Sequence, residues 1–253
     1  MQIHSEEFGQ GAPVVLLHGV PADPAELRPL ARRLGQKRRV LLMHLPGYGQ
    51  TPAPRGPWAL SDQHGWIERE LSRRGIAEAA LVGVSAGAYG ALALALRGRI
   101  RATQVITLGG FAGLAEPECA GLRGFAEALR AGVDLGEVLV ARFLAPEFAR
   151  ARPELARTVQ SYLDAAPRAH IAAELEALAA SADLRPELHS LDVPVLARVG
   201  ELDLAAPPAQ SEQIVAWARH AELEIVPGAG HLLLLEDEAQ TLAAVERALS
   251  ARG

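Results

Sequence analysis

The chain has 253 residues, enough for one sizeable α/β domain with an insertion, and its 49% hydrophobic and 22% charged residues exclude a disordered or fibrous protein. The net charge of −5 comes from interspersed acids and bases, with no block of like charge, which argues against a nucleic-acid partner. The single cysteine, Cys119, can form neither an internal disulfide nor a thiolate metal site, which fits a reducing compartment.

The N-terminal residues and the apolar stretches favour a cytoplasmic protein. Residues 1–9 have no basic segment followed by an apolar one, so no secretory signal is predicted. The longest nearly apolar stretch, 79–96, contains Ser85 and three glycines, and it divides better into a strand, a turn and a helix than into a membrane span. We therefore expect a cytoplasmic location and no association with a membrane.

Two short strands and a helix are predicted at the start of the chain. Residues 3–8 and 14–17 are rich in strand formers and are separated by a Gly-Gln-Gly turn, so we expect them to pair as a hairpin. A helix is predicted to begin after Asp23, because Pro24 stands at its first position and Glu26 completes a capping box.

Strands and helices then alternate, apart from one long helical stretch. Residues 116–188 are rich in Ala, Leu, Arg and Glu at helical spacing, which indicates a helical insertion. Short apolar strands that alternate with helices favour a mainly parallel sheet covered on both faces. The further predicted strands are 39–44, 79–84, 102–108, 193–199 and 222–226, and the predicted helices between and after them are 61–73, 86–97, 208–220 and 236–249.

The pattern Gly-x-Ser-x-Gly occurs at residues 83–87, between a predicted strand and a predicted helix. A sharp turn of this kind puts Ser85 in a strained backbone conformation and presents its hydroxyl at the carboxyl edge of the sheet. The glycines leave room where any Cβ would clash. On its own the pattern is weak, because a small-residue turn that packs a helix against a strand has the same sequence.

Two further residues that could complete a catalytic triad follow the serine, each after the end of a predicted strand. Asp203 comes just after the strand that ends near Val199, and His231 comes just after the strand that ends near Val226. The intervening chain accommodates one helix and one strand. We therefore expect both side chains to project above the same edge of the sheet and to meet Ser85 there.

These three residues, each with its flanking motif, and two further marks make the chain resemble a cap-bearing α/β-hydrolase of the serine esterase or lactonase branch. The resemblance extends along nearly the whole chain. Each mark alone is weak, but five in the family's order and context are specific. The resemblance implies a mainly parallel eight-stranded sheet flanked by helices, with a core at 1–111 and 191–253 and a helical cap, or lid, at 112–190. The five marks are His18-Gly19, the segment 45–51, the serine turn 83–87, Gly200-Glu201-Leu202-Asp203 with Pro207, and Gly228-Ala229-Gly230-His231 with Glu236.

The resemblance also implies a role for each site residue. Ser85 is the nucleophile, His231 is the base that takes its proton, and Asp203 is the acid that holds the histidine tautomer. The backbone N–H groups of Val20 and Ala86 form the oxyanion hole, because the proline that follows Val20 has no N–H to offer.

Two other histidines and one rival position for the acid also bear on the site. His18 is better interpreted as a buried, hydrogen-bonded residue that shapes the oxyanion loop than as a base. His44 stands where relatives usually have Asp, which leaves the electrostatics of that turn open. Some relatives carry the acid after the strand 102–108, but no carboxylate occurs there before Glu116.

The predicted reaction is hydrolysis of a carboxylic ester or lactone of a small to medium organic acid, through an acyl-enzyme on Ser85. The same triad performs hydrolysis of a carbon–carbon bond in a diketone and acyl transfer to an acceptor other than water, and the sequence does not separate these reactions. Dehalogenases and epoxide hydrolases of this fold are expected to use Asp at the position of Ser85. A ligand-binding module that has lost turnover is the alternative from another class.

No cofactor is predicted. The sequence contains no His-x-x-x-His pair, no cysteine cluster and no glycine-rich phosphate loop, which argues against a metal or a nucleotide. The expected partner is a small-molecule substrate, and no feature predicts an oligomeric state.

The insertion is expected to act as a lid that sets specificity, because the core already supplies nucleophile, acid, base and oxyanion donors. Aromatic residues of the insertion and of the turn before it are the candidates to line a substrate pocket. For each of them, ordinary packing between helices is the alternative. These pocket candidates are Phe111, Phe125, Phe143, Phe148 and Tyr162.

Overall fold

A computed structural model describes residues 1–250, and within that part of the chain seven strands form one sheet. The strands are β1 His4–Phe8, β2 Pro13–Leu17, β3 Arg39–His44, β4 Glu78–Val84, β5 Arg101–Leu108, β6 Val195–Gly200 and β7 Ala221–Val226. Their order is β1-β3-β2-β4-β5-β6-β7, and only β1 runs antiparallel to its neighbour. The carboxyl ends of β2 to β7 therefore lie at one edge, where open α/β sheets bind ligands.

Two predictions about the strands need correction. The eight strands implied by the family resemblance are seven in residues 1–250, and these seven are the ones that the apolar pattern itself marks. The predicted hairpin between β1 and β2 is wrong. Both sides of β2 are occupied by parallel neighbours, so β1 pairs with the outer side of β3, with His4 opposite His44 and Phe8 opposite Val40.

Both faces of the sheet are buried. In β2, Val15 and Leu17 pack into one apolar cluster, whereas Val14 and Leu16 pack into another. Successive side chains of a strand point to opposite faces, so a sheet covered on both sides requires apolar residues at consecutive positions. The predicted fold class, a mainly parallel sheet flanked by helices, is confirmed.

The first helical segment begins where the sequence predicts it. The Asp23 carboxylate accepts the N–H of Ala25 at 2.8 Å, and Glu26 accepts the N–H of Asp23 at 2.8 Å, which completes the capping box. The first turn is a 3-10 helix, Pro24–Leu27, and the α-helix α1, Arg28–Leu34, follows it.

The stretch between β5 and β6, all of it within the described residues, contains helices and no strand. Within it, the helix Glu116–Arg130 packs against the helix Arg168–Ala179. The role of this stretch as a lid stays a prediction. Residues 251–253 of the predicted core lie outside the described part. The α-helices of this stretch are α4 Glu116–Arg130, α5 Gly136–Phe143, α6 Pro146–Ala151, α7 Pro153–Ser161 and α8 Arg168–Ala179. The α-helices outside it, besides α1, are α2 Leu60–Arg73, α3 Ala86–Arg97, α9 Pro208–Trp217, α10 Leu233–Glu236 and α11 Glu238–Ser250.

None of the helices within residues 1–250 combines the length and the hydropathy that a membrane crossing requires.

Candidate active site

The serine turn has the strained geometry that its sequence predicts. Ser85 lies between the end of β4 and the start of α3 with φ 55° and ψ −120°, and it is the one residue other than glycine with positive φ among residues 1–250. A Cβ on Gly83 would lie 2.2 Å from the carbonyl oxygen of Gly87, and one on Gly87 would lie 2.3 Å from that of Leu17. Only glycine allows this turn to pack so closely against β2.

Asp203 and His231 meet at the carboxyl ends of β6 and β7. His231 Nδ1 and Asp203 Oδ2 are 2.7 Å apart, and each residue is 1% exposed. The other carboxylate oxygen, Oδ1, accepts the N–H groups of Ala205 and Ala206, each at 2.8 Å. With the carboxylate held in this way, Nδ1 donates to it and Nε2 is left as the basic nitrogen.

Ser85 and His231 line one small cavity, of about 20 Å³, together with Gly19, Val20 and Glu26. We call this space the small cavity. His231 Nε2 is buried and has no hydrogen-bond partner among residues 1–250, so it is not bonded to the Ser85 hydroxyl in this structure. Hydrogen bonds of this kind are often long without substrate and tighten when it binds.

Gly109, at the end of β5, provides space for the histidine and aspartate pair. It has φ +58°, and a Cβ at this position would lie 2.9 Å from His231 Nδ1 and 3.0 Å from Asp203 Oδ2. No sequence motif marks this glycine, and its position directly after a strand is the one local signal that points to it.

We expect Gly109→Ala to lower kcat/KM for ester hydrolysis about 100-fold, because the added Cβ displaces the imidazole from its working position. It should also lower the free energy of unfolding by about 1–3 kcal/mol, through the positive φ. The control is Gly124→Ala in α4, where a Cβ meets no atom within 4 Å. The control should gain about 0.5–1 kcal/mol in urea unfolding and keep full activity. Full activity in Gly109→Ala would contradict this account of the site.

The predicted oxyanion donors are free to bind a ligand. Neither the Val20 N–H nor the Ala86 N–H has an acceptor within the part of the chain that the structure describes. Both residues line, with Ser85, a second and larger cavity of about 350 Å³. The role of these two N–H groups as an oxyanion hole stays a prediction.

His18 holds the loop that carries Val20. Its Nδ1 donates to the carbonyl oxygen of Gly19 at 2.8 Å, and its Nε2 accepts the N–H of Leu45 at 3.0 Å. Burial lowers the pKa of His18 to about 4, so the ring is neutral at pH 7 and suits this pattern of one donor and one acceptor. The predicted burial and hydrogen bonding of His18 are observed, and its role in shaping the oxyanion loop stays a prediction.

His44 has hydrogen-bond partners on two different segments of the chain. Its Nδ1 accepts the N–H of Gln50 at 3.0 Å, and its Nε2 donates to the Glu6 carboxylate at 2.8 Å. A Cβ on Gly49, which has φ +54°, would lie 2.3 Å from His44 Nδ1. The imidazole thus ties the Gly47-Tyr48-Gly49 turn to β1.

The insertion between β5 and β6 is hydrogen-bonded directly to the loop that carries His231. The carbonyl oxygen of Phe143 accepts the N–H of His231 at 2.9 Å, and the two rings lie 4.9 Å apart between centroids. The Glu236 carboxylate accepts the N–H groups of Gly230 and Ala145, each at 2.9 Å. Burial raises the pKa of Glu236 above its usual value. The sequence marks Glu236 only as a family feature and does not reveal this link.

The larger cavity, which we call the acyl cavity, lies between Ser85 and the insertion. Phe111, Phe125 and Phe143 are among its lining residues, and Tyr89 stacks on Phe111 with 5.7 Å between ring centroids. Glu118 and Arg142 are the charged lining residues. The rest of the wall is mainly aliphatic and includes Leu114, Leu122, Leu139, Leu175, Leu178 and Leu204.

Two of the predicted pocket residues lie elsewhere. Phe148 in α6 is partly buried against the core and does not line the acyl cavity. Tyr162 is also absent from the lining of the acyl cavity, and its hydroxyl lies beside the Glu26 carboxyl. Burial and this neighbouring carboxyl raise the pKa of Tyr162. Helical spacing does not reveal which side of a lid helix faces the nucleophile, so the sequence could not separate these two residues from the other three.

Among residues 1–250, no group of three or more His, Cys, Asp or Glu side chains is arranged to hold a metal ion.

The comparisons with known proteins point to one family. The model of the alpha/beta hydrolase fold matches residues 12–238. A pimeloyl-[acyl-carrier protein] methyl ester esterase of Aeromonas hydrophila is 32% identical over 222 residues, which are 83% of this chain and 84% of the relative.

Solved structures agree with this. An esterase of Thermogutta terrifontis is similar with a TM-score of 0.90 and 25% identity, over 98% of this chain and 92% of that one. The enol-lactonase of Burkholderia xenovorans LB400 is similar with a TM-score of 0.89 and 25% identity, over 98% and 96% of the two chains. The chain therefore belongs to the α/β-hydrolase fold family.

Proposed function

We propose that the protein is a serine hydrolase that cleaves a carboxylic ester or lactone of a small to medium organic acid through an acyl-enzyme on Ser85. The observation that carries the proposal is the buried 2.7 Å hydrogen bond between His231 Nδ1 and Asp203 Oδ2, at a cavity that Ser85 also lines. This bond leaves Nε2 as the base, and the strained turn presents the serine hydroxyl.

In the acylation step, the Ser85 oxygen attacks the carbonyl carbon of the ester while His231 Nε2 takes the hydroxyl proton. The carbonyl oxygen becomes negative and is stabilised by the N–H groups of Val20 and Ala86. The bond to the alcohol then breaks, and the alcohol oxygen receives the proton from Nε2. For a lactone the alcohol stays attached to the acyl group.

The acyl cavity has room for a substrate whose acyl part is apolar and of moderate size. Its volume of about 350 Å³ and its leucine and phenylalanine walls suit a short or medium hydrocarbon chain or a small ring. The names of the similar proteins, an esterase, a methyl ester esterase and an enol-lactonase, favour cleavage of a C–O bond over the carbon–carbon bond of a diketone.

A panel of short-chain aryl esters and small lactones tests the proposal. We expect hydrolysis of several members, with rapid release of the first product followed by a slower steady rate if deacylation limits turnover. No turnover of any ester or lactone, with the substrates nevertheless bound, would favour the non-catalytic module instead.

Two partly buried phenylalanines of the insertion provide a matched pair of variants, because only one of them lines the acyl cavity. Phe125→Ala removes part of an apolar wall of the cavity. We expect it to change the preference for a longer over a shorter acyl ester, measured as the ratio of their kcat/KM values, by an amount equivalent to about 1–3 kcal/mol. Phe148→Ala also truncates a partly buried phenylalanine of the insertion, but one that does not line this cavity. It should keep the parent ranking of substrates. The measurement uses a series of p-nitrophenyl esters of increasing acyl length. If Phe125→Ala also keeps the parent ranking, this wall of the cavity does not set acyl specificity.

A further inference from the structure

The small cavity is sized for a single water molecule. Its volume is about 20 Å³, and one water molecule requires roughly 10–15 Å³. Ser85, Val20, Pro21 and Phe143 also line the acyl cavity, so the two spaces meet at the nucleophile. His231 lines the small cavity and not the acyl cavity. The base is therefore available to a molecule in the small cavity while an acyl group occupies the larger one.

A buried water also needs polar partners, about two to four of them. The small cavity offers the imidazole of His231, whose Nε2 is buried without a hydrogen-bond partner among residues 1–250, and the oxygen of Ser85. Two further ionisable side chains lie in its wall, His18 and Glu26. Both ring nitrogens of His18 are already hydrogen-bonded to backbone groups, which leaves Glu26. The other lining residues are mainly apolar, so Glu26 is the group able to fix the direction of a water there.

Glu26 is held in place by its capping hydrogen bond. Its Oε1 accepts the N–H of Asp23 at 2.8 Å, and the hydroxyl of Tyr162, from the insertion, lies beside the carboxyl. Partial burial raises the pKa of Glu26 to about 7. The capping bond occupies one carboxylate oxygen and leaves the other to accept a second hydrogen bond.

We propose that Glu26 positions the water that hydrolyses the acyl-enzyme, an inference that rests on the proposed function. The water oxygen bonds to the acyl carbon while one of its protons passes to His231 Nε2. Its other hydrogen is held by the free oxygen of Glu26. The bond from the acyl carbon to the Ser85 oxygen then breaks, that oxygen recovers the proton from Nε2, and the free acid leaves.

Glu26 neither gains nor loses a proton in this sequence. It acts on the second half-reaction alone, since the first half-reaction needs no water. A purely structural role in the helix cap would affect acylation and deacylation together, and this difference makes the proposal testable.

The test compares Glu26→Gln with Asp23→Ala at pH 8, in stopped-flow assays with p-nitrophenyl butyrate and with mass spectrometry of the quenched enzyme. In Glu26→Gln the new amide keeps its oxygen on the Asp23 N–H and so turns its NH₂ group, a donor, towards the water. Asp23→Ala breaks the cap bond to Ala25 but leaves the Glu26 carboxylate unchanged. Glu26→Ala serves as a second variant that removes the carboxyl altogether.

We expect Glu26→Gln and Glu26→Ala to acylate Ser85 within about twofold of the parent rate and to deacylate about 10- to 100-fold more slowly, so that the acyl-enzyme accumulates. Asp23→Ala should match the parent in both steps. Parent-like deacylation in Glu26→Gln, equal slowing of both steps, or the same slowing in Asp23→Ala would overturn the proposal. If the parent itself forms no acylated Ser85, the proposed function fails, which is a different and recognisable result.

Discussion

Ser85→Ala is expected to lower kcat for ester hydrolysis by about 10⁶-fold. The alanine keeps the Cβ that the strained turn already accommodates, so the free energy of unfolding should change by less than about 1 kcal/mol. The exposed Ser72 in α2 provides the control, and Ser72→Ala should keep full activity. The measurements are kcat on an aryl ester and urea unfolding of the same samples. Substantial activity in folded Ser85→Ala would remove the serine from the mechanism.

Asp203→Asn is expected to lower kcat by about 10⁴-fold. Oδ1 of Asp203 accepts two backbone N–H groups, so the oxygen of an asparagine would take that position and its NH₂ would face His231. The NH₂ donates to Nδ1, which moves the imidazole proton to Nε2 and leaves no base for Ser85.

Glu201→Gln is the matched control for this substitution. Glu201 lies two residues earlier, is exposed, and accepts only the N–H of Gly228 in the described structure, at 2.9 Å. The glutamine oxygen can accept the same bond, so kcat should stay within about twofold of the parent. Losses of similar size in both variants would mean that the acid lies elsewhere.

The strands and the serine turn were predictable because their signals are local. An apolar run, a following glycine and a Gly-x-Ser-x-Gly pattern each depend on a few neighbouring residues. Asp203 and His231 could be placed as well, because the ends of neighbouring parallel strands must come together. The partner of β1 could not be predicted in this way, since it depends on which sheet edge is free after β2, β3 and β4 have paired.

The remainder of the site depends on contacts between distant segments. The sequence does not indicate that Gly109 faces the pair formed by Asp203 and His231, or that Glu236 joins the insertion to the His231 loop. Glu26 is visible in the sequence only as a helix-capping residue, and its place in the wall of the small cavity with Ser85 follows from the folded chain. Such contacts have no sequence period, which is why they appear only in the folded chain.

The most direct test of the central claim is the reaction of the protein with a fluorophosphonate, followed by intact mass spectrometry and peptide mapping. A tryptic cut after Arg74 and Arg97 releases residues 75–97, in which Ser85 is the only serine. We expect one label per chain, located on Ser85, and no label on Ser85→Ala under the same conditions. A label on another residue, or a folded parent protein that does not react, would contradict the assignment of Ser85 as the nucleophile.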